Sequence, residues 1–439
     1  MCRLVSLLAL LLPLGAFAQS SPDLNTILTR LDTLERENRA LTEEIKQLRE
    51  QLAALQAKPA QSVQEQLDVQ KQRIEEQAQT KVEASQKFPI RLSGALLANA
   101  YMNSKQSGGF VYPTFAAATG THRDGLQLRQ TIIGLEFNGP HVAGNGAVSG
   151  NVYMDFFSGT TPLGQTMRLR TGHIEIAWKD QNILAGIEKP IFNPREPSSL
   201  AQVGVSPMTG AGNLWLWVPQ VRLEQDFSFG WRSGLRARMG VIETQEVGPY
   251  DTPTVTFNVE RARPGLEGRF ELFHNFDDDR RIEIATGFHE STTHAAGFSI
   301  PSDVWSLDWF MNPWKRVELT GAFYDGENVA NLGTGLINQG YAVFRSISWP
   351  IGSAGGWGQF TIHTLPRLDA HIFFGDQQYA TRYLGKGDQE RNIEFGANLY
   401  FRIAPNVILA PEFSQIRSRY IGQSILRNNH YDLALAYLF

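Results

Sequence analysis

Two stretches of the chain carry arginines at even spacings. Arg168 and Arg170 form one set, and Arg232, Arg236 and Arg238 form the other, each opposite apolar neighbours. Successive side chains of a β-strand point to opposite faces, so each set of guanidinium groups would share one face. A guanidinium group forms paired hydrogen bonds with a carboxylate or a phosphate. This spacing therefore indicates a surface that attracts and selects anions.

Further charges in the same region qualify that prediction. Arg129 and Arg222 are additional candidates for the basic face. Several carboxylates weigh against a purely basic face, and these are Asp155, Glu224, Glu267, Glu271, Asp308 and Glu412. Arg269, between two of them, is interpreted as part of a neutralised pair. The predicted preference for anions is accordingly weak.

Catalytic, metal and cofactor sites are not predicted. His289 and His294 flank a glutamate, but they are five residues apart, whereas a zinc-protease helix places its histidines four apart. No Gly-x-Ser-x-Gly or phosphate-binding glycine motif occurs, and no nucleophile and base can be paired, which disfavours a hydrolase. The net charge of −4, from 40 basic and 44 acidic residues, gives no indication of nucleic-acid binding.

From Phe88 onward the apolar residues recur with a period of two. The clearest case is the C-terminus, where Tyr431, Leu433, Leu435, Tyr437 and Phe439 are large and apolar and the residues between them are small or polar. Tyr437 and the terminal Phe439 resemble the assembly signal of bacterial outer-membrane barrels. A closed barrel satisfies every backbone group in lipid, with an apolar outside and a polar inside. We therefore predict an all-β transmembrane barrel over residues 88–439, surrounded by outer-membrane lipid.

Long and short connections alternate along this region. Long segments are expected near 104–124, 158–166, 190–218, 243–254, 291–302, 326–355, 379–391 and 419–429. Eight long loops that alternate with short turns predict about 16 antiparallel strands and place both barrel termini on the periplasmic side. A barrel of that size encloses an aqueous channel. If the apolar faces meet lipid, the pore is lined by the candidate arginines Arg129, Arg168, Arg170, Arg222, Arg232, Arg236 and Arg238.

The third long segment, 189–218, is rich in proline and glycine. Loops of such length are usually functional or disordered. In a 16-stranded barrel we expect this segment to fold inward and narrow the pore. The alternative is an exposed loop or one that clasps a partner.

The N-terminal region has three predicted parts. Residues 1–18 have the basic start, apolar stretch and small-residue cleavage site of a signal peptide. Residues 19–58 form a coiled coil, and residues 59–87 form a polar spacer. The heptad positions a and d of the coiled coil hold Leu24, Ile27, Leu31, Leu34, Asn38, Leu41, Ile45, Leu48, Leu52 and Leu55.

The number of helices in the coiled coil is open on the residues alone. Asn38 at an a position is typical of dimers. Arg30 and Glu35, at g and e, resemble the trimerisation motif of short coiled coils, in which the arginine bonds a glutamate of the neighbouring helix. We favour a homotrimer over a dimer.

The whole pattern resembles a known family. An export signal, a coiled coil, a spacer and a barrel ending in phenylalanine are similar to the DcaP-like family of trimeric outer-membrane porins. Local resemblance lies in Leu126–Gln130, Gly134–Phe137, Asp155–Phe157, Met167–Arg170, Pro219–Arg222 and Tyr437–Phe439. The family implies a 16-stranded trimer, a periplasmic coiled coil and a preference for dicarboxylates. Gly172 and Trp215–Trp217 depart from the family pattern.

The sequence thus favours an outer-membrane porin that is not an enzyme, has no cofactor and lets small hydrophilic solutes diffuse passively, with an anion preference. Its expected partners are lipid, copies of itself, the barrel-assembly machinery and those solutes. The alternative is a barrel-anchored tether whose coiled coil engages the periplasmic cell wall.

Overall fold

The computed structural model describes residues 24–55, 90–158, 166–244, 264–295, 298–334, 339–344 and 347–439. The chain divides into two units, residues 1–87 and 88–439. The predicted signal peptide and spacer lie outside the described residues. None of the helices within the described ranges is both long and apolar enough to cross a membrane.

The first unit contains helix α1, Leu24–Leu55. This range agrees with the helical periodicity of the predicted coiled coil. Four d- and a-position side chains, Leu34, Leu41, Ile45 and Leu48, are 37–56% exposed in the single chain. On the polar side Arg39 and Glu35 pair across one turn at 3.5 Å. An amphipathic helix with an apolar stripe in water leaves that stripe available for another apolar surface.

The second unit is built of β-strands. In chain order these are β1 (Ile90–Asn103), β2 (Arg123–Gln127), β3 (Ile132–Val142), β4 (Gly146–Ser158), β5 (Thr166–Ala177), β6 (Gln181–Glu188), β7 (Val218–Ser228), β8 (Ser233–Ile242), β9 (Gly265–Asn275), β10 (Arg281–Ala295), β11 (Phe298–Trp314), β12 (Val317–Glu327), β13 (Tyr341–Phe344), β14 (Ile347–Pro350), β15 (Gly352–Leu365), β16 (Leu368–Tyr379), β17 (Gln389–Ala404), β18 (Val407–Tyr420) and β19 (Leu426–Leu438). Three 3-10 turns lie at Ala143–Asn145, Val329–Leu332 and Thr381–Tyr383.

The sheet closes on itself into a barrel. Within the described residues 17 strands form one antiparallel sheet, and β13 and β14 form a separate hairpin between β12 and β15. Both β2 and β3 pair with β1, so they share one place and the barrel has 16 strand positions, as predicted. The seam is β1 against β19, and its last bonds join Gly94 and Phe439 in both directions, at 3.0 and 3.1 Å.

Alternation of side chains sets the two faces of the wall. In β19 the side chains of Tyr431, Leu433, Leu435 and Tyr437 point outward and are 45–50% exposed. Asp432 and the alanines that alternate with them point inward and are at most 5% exposed. This arrangement confirms the predicted two-residue period. It gives the barrel an apolar exterior and a more polar interior.

Most of the predicted loops 158–166 and 243–254 lies outside the described residues, and among the other connections one differs from the prediction. The expected long loop near 291–302 is mostly strand, because β10 continues to Ala295 and β11 begins at Phe298. Paired residues such as Thr293 and Ile300 keep the ladder intact there. β-Branched residues suit a pleated sheet, which accounts for this extension. The longer connections of porin-type barrels are extracellular and the short turns periplasmic.

A substitution at Gly94 tests the seam. A Cβ atom at Gly94 would lie 2.3 Å from Ile132 O and 2.9 Å from the Phe439 ring. Gly94→Val should therefore destabilise the closed barrel by roughly 1–3 kcal/mol, the usual cost of overpacking. The measurement is the fraction that migrates as folded barrel on an unheated gel across a urea series. Gly230→Val is the matched control, since a Cβ there has nothing within 4 Å. Equal urea midpoints for the two variants would contradict the seam geometry.

Candidate functional site

The segment between β6 and β7, residues 189–217, is called the third loop below. Its first part bonds to inward-facing side chains of three strands. Ser306 Oγ of β11 donates to Phe192 O at 2.8 Å. Ser198 N donates to Gln359 Oε1 of β15 at 2.7 Å, and Asn398 Nδ2 of β17 donates to Ser198 O at 2.8 Å. The third loop therefore runs along the inside of the wall.

The contacts continue across the seam to the opposite wall. Asn99 Nδ2 of β1 donates to Leu200 O at 2.9 Å. Gln130, between β2 and β3, donates to Ala201 O at 2.6 Å and accepts from Val203 N at 3.0 Å. Strands from opposite sides of the barrel thus hold the same segment, and the third loop lies within the lumen, as the sequence analysis expects.

The end of the third loop packs tightly on the wall. Met208 is fully buried against Ala322, Trp357 and Phe373. A Cβ atom at the wall residue Gly375 would lie 2.2 Å from Ala211 O, so only glycine permits this close approach.

The first loop, residues 104–122, also enters the barrel, which the sequence did not indicate. Asn103 Nδ2 donates to Val111 O at 2.8 Å, and Ala116 N donates to Ser418 Oγ of β18 at 2.8 Å. Burial raises the pKa of the Tyr112 hydroxyl well above its usual value, so this group stays protonated. The two loops together narrow the lumen.

Arg168 and Arg170 lie on the inner wall and share one carboxylate. Each contacts Asp155 at 2.9 Å. Arg170 also donates to Val203 O of the third loop at 2.6 Å, and its guanidinium lies 4.5 Å from the ring centre of Trp217. The predicted pair therefore lies on the inner side of the wall, where it also holds the third loop.

Arg236 and Arg238 lie on the inner face of β8. Arg236 contacts Asp226 and Glu271, each at 2.9 Å. Arg238 pairs with Glu224 on β7. These carboxylates lie directly across the sheet from the arginines in strand register. The basic face of β8 is thus balanced by neighbouring acids.

Two further arginines belong to this network. Arg195 of the third loop contacts Glu283 at 2.9 Å and Glu271 at 3.2 Å. Arg269 is 1% exposed and pairs with Asp308 at 2.7 Å, which fits its interpretation as a neutralised wall residue. Arg195 was not predicted, because it lies in a proline-rich segment without alternation.

The remaining three candidates differ in their surroundings. Arg222 faces the lumen on β7, and within the described residues it has no carboxylate within the 4.0 Å of an ion pair. Arg129 donates to Phe157 O at 2.7 Å and lies over the Phe157 ring. Arg232 lies in the turn between β7 and β8, outside the strands of the wall. The central carbon of its guanidinium group lies 3.9 Å from the centre of the Trp231 ring.

In some of these pairs the arginine is more exposed than its carboxylate. Arg168 and Arg170 are 30% and 13% exposed, whereas Asp155 is fully buried. Arg236 is 27% exposed and Glu271 only 3%. Other pairs do not follow this order: Asp226 is as exposed as Arg236, Glu283 is as exposed as Arg195, and Arg269 is as buried as Glu271. Around Asp155 the exposed surface is therefore guanidinium, whereas around β8 acidic and basic side chains are both partly exposed.

His289, the first histidine of the sequence that resembles a zinc motif, lies in a different environment from a metal ligand. His289 is fully buried on β10, where Nδ1 contacts Glu267 at 2.9 Å and Nε2 contacts Ser291 at 2.9 Å. Across the described ranges no group of three histidine, cysteine or acidic residues could hold a metal ion.

Known proteins resemble this chain in fold rather than in sequence. No protein-family profile and no curated sequence matches it. The outer membrane channel DcaP of Acinetobacter baumannii is 15% identical, with a TM-score of 0.66, over 80% of this chain and 97% of that one. An anion-selective porin from Comamonas acidovorans is 10% identical, with a TM-score of 0.55, over 80% of this chain and 99% of that one. The barrel has the fold of outer-membrane porins, which supports the resemblance to DcaP-like porins.

Shortening the third loop tests its place in the lumen. Asn193 Nδ2 donates to Leu214 O at 3.0 Å, so the two residues that flank segment 194–213 lie next to each other. Replacing residues 194–213 by Gly-Gly should raise single-channel conductance about twofold or more, because a barrel of this size otherwise encloses a wide aqueous channel. Gln423→Ala, in an exposed outer loop, should conduct like the unmodified protein. Unchanged conductance in a folded loop variant would contradict the inward position.

Proposed function

We propose that this protein is an outer-membrane porin through which small hydrophilic solutes diffuse passively, with a preference for anions such as dicarboxylates. The observation that carries the proposal is the pairing of an inward third loop with arginines that extend beyond buried carboxylates. The porin fold of the barrel supports the outer membrane as its location. No covalent step is involved, and no cofactor is required.

The physical basis of selection is electrostatic. A solute passes through the part of the lumen that the third loop leaves open, where Arg168, Arg170, Arg236 and Arg238 present N–H groups to water. The buried carboxylates of Asp155 and Glu271 hold guanidinium groups in place and are screened from the solute, whereas Asp226 and Glu224 are partly exposed. Planar guanidinium groups suit carboxylates, and selectivity in a pore follows the groups at its narrowest part. Because acids balance the arginines, the preference is modest.

Arg222 offers the sharpest test of selectivity, since its removal leaves no paired carboxylate behind. A unit charge about 6 Å from a solute is worth about 0.7 kcal/mol in water, or about threefold in local anion concentration. Arg222→Gln should therefore lower the chloride-to-potassium permeability ratio about two- to threefold, measured as reversal potential across a KCl gradient. Arg316→Gln, in the short turn after β11, is the control and should leave the ratio unchanged. Cation selectivity of the unmodified protein would refute the proposed preference.

We further propose that helix α1 assembles the protein as a trimer through a periplasmic coiled coil. The exposed side chains of Leu34, Leu41, Ile45 and Leu48 support this, because they form one stripe. The side chains of Leu24, Ile27, Arg30, Leu31, Leu52 and Leu55 lie outside the described set. The C-terminal Tyr437 and Phe439, whose rings stack at 6.4 Å on the outer face, are proposed as the segment that the barrel-assembly machinery recognises.

Charge in the leucine stripe should weaken assembly. Leu34→Asp with Leu41→Asp buries carboxylates between the helices of the proposed coiled coil. Arg36→Asp with Glu43→Asp changes the opposite face of the helix and is the control. Light scattering of the detergent-solubilised protein should give a trimer mass for the control and a larger monomer fraction for the leucine variant. A dimer mass for the unmodified protein would contradict the proposed state. If residues 24–87 instead serve as a wall tether, their deletion should abolish a cell-wall phenotype and leave conductance intact.

A further inference from the structure

A cluster of arginines lies on the outer face of the barrel, away from the lumen, at the end of the longer loops. Its members are Arg391 on β17, Arg417 and Arg419 on β18, and Arg427 on β19. The residues beside Arg417, Ile416 and Ser418, are at most 1% exposed and face inward, so Arg417 itself faces outward. This cluster is called the outer arginine patch.

Strand register places the arginines of the patch opposite one another. Arg417 is the direct partner of Arg427, and Arg391 is the direct partner of Arg419. Directly opposed like charges on neighbouring strands destabilise a sheet, because their Cβ atoms are only about 5 Å apart. An anion that bridged the two side chains would offset this repulsion.

Nearby acids neutralise only part of the patch. Arg391 donates to Asp376 at 2.9 Å, and Arg419 lies 3.9 Å from Glu390. Arg417 donates to Gln415 Oε1 at 2.7 Å. In the described part of the chain neither Arg417 nor Arg427 has a carboxylate within the 4.0 Å of an ion pair. Two exposed positive charges therefore remain unbalanced.

The height of the patch matches the boundary of a membrane. Val407 and Phe413 of β18 face outward and belong to the apolar band. Val407, at the short-turn end of β18, marks the start of this band. Ten residues at about 3.4 Å, on a strand tilted by about 40°, place Arg417 roughly 26 Å above Val407. The apolar band of such barrels is about 25 Å tall, so Arg417 and Arg427 lie at the level of lipid headgroups.

An apolar groove opens on the same outer face, beside the patch. It has a volume of about 420 Å³, a floor that includes Gly356 and Gly358, and walls that include Phe323 and Phe374. Asp376, which holds Arg391, also lines this groove. The lining of the groove is mainly apolar, and Asp376 connects it to Arg391 of the patch.

We propose that the outer arginine patch binds the phosphate monoester of an outer-leaflet lipid, with an acyl chain of that lipid in the groove. The charge of the patch and its height favour a phosphorylated headgroup. The adjoining apolar groove favours a lipid over free phosphate. This inference concerns the exterior of the barrel and is independent of solute selectivity in the lumen.

The test uses the purified full chain in detergent and bisphosphorylated lipid A as the probe, with binding measured by native mass spectrometry. Arg417→Gln with Arg427→Gln should weaken binding by about tenfold or more, because two charge-assisted contacts are lost. Arg316→Gln with Arg367→Gln removes two exposed charges from the short turns at the other rim and should bind like the unmodified protein. Folding of each variant is checked by migration on an unheated gel.

A groove variant and a competitor separate the possible occupants. Gly358→Leu fills the groove without a backbone clash, since the nearest atom to a Cβ there is 4.0 Å away, and it should also weaken lipid binding. Displacement of lipid A by equimolar inorganic phosphate would identify a free-phosphate site and overturn the proposal. Unchanged lipid A binding by the Arg417→Gln/Arg427→Gln variant would also overturn the proposal. So would a change in the oligomeric mass of that variant without a loss of lipid binding.

Discussion

Hydrocarbon offers no hydrogen-bond partner, so each backbone N–H and C=O group that crosses a membrane must be paired within the protein. The barrel meets this constraint by closing β1 on β19, down to the bonds between Gly94 and Phe439. Closure in turn separates an apolar exterior from a polar interior. Every other feature depends on that separation, since only an interior sealed from lipid can hold water, two infolded loops and a network of ionised side chains.

Within the lumen, function and stability rest on the same groups. Asp155 binds Arg168 and Arg170, and Arg170 in turn holds the third loop through Val203 O. Paired charges hold a constriction better than isolated ones, because a buried carboxylate without a partner is costly. In the proposed function, the same pairing leaves the guanidinium groups of Arg168 and Arg170 available to solutes. The proposed porin would thus combine a rigid constriction with a mild electrostatic filter.

The sequence was sufficient for the barrel and insufficient for its charge network. A period of two, as in Tyr431 to Phe439, is local and follows directly from which face meets lipid. The inward third loop was inferred from its length and composition, but its contacts with Asn99 and Gln130 join residues far apart in the chain. The pairing of Arg236 with Glu271 depends on strand register, which alternation alone does not set. Arg195 and the infolded first loop gave no periodic pattern at all.

The account depends most on the third loop lying inside a sealed barrel. Cys2 is the only cysteine of the chain and lies in the predicted signal peptide, so introduced cysteines report without background. Ser198 of the third loop is hydrogen-bonded to the side chain of Gln359, which lies on the lumen side of β15. With Ser198→Cys and Gln359→Cys together, a short bifunctional maleimide applied to cells should link the loop peptide to the β15 peptide within one chain. If a bulky, impermeant maleimide instead labels the thiol introduced by Ser198→Cys, and that link does not form, the result would contradict the account.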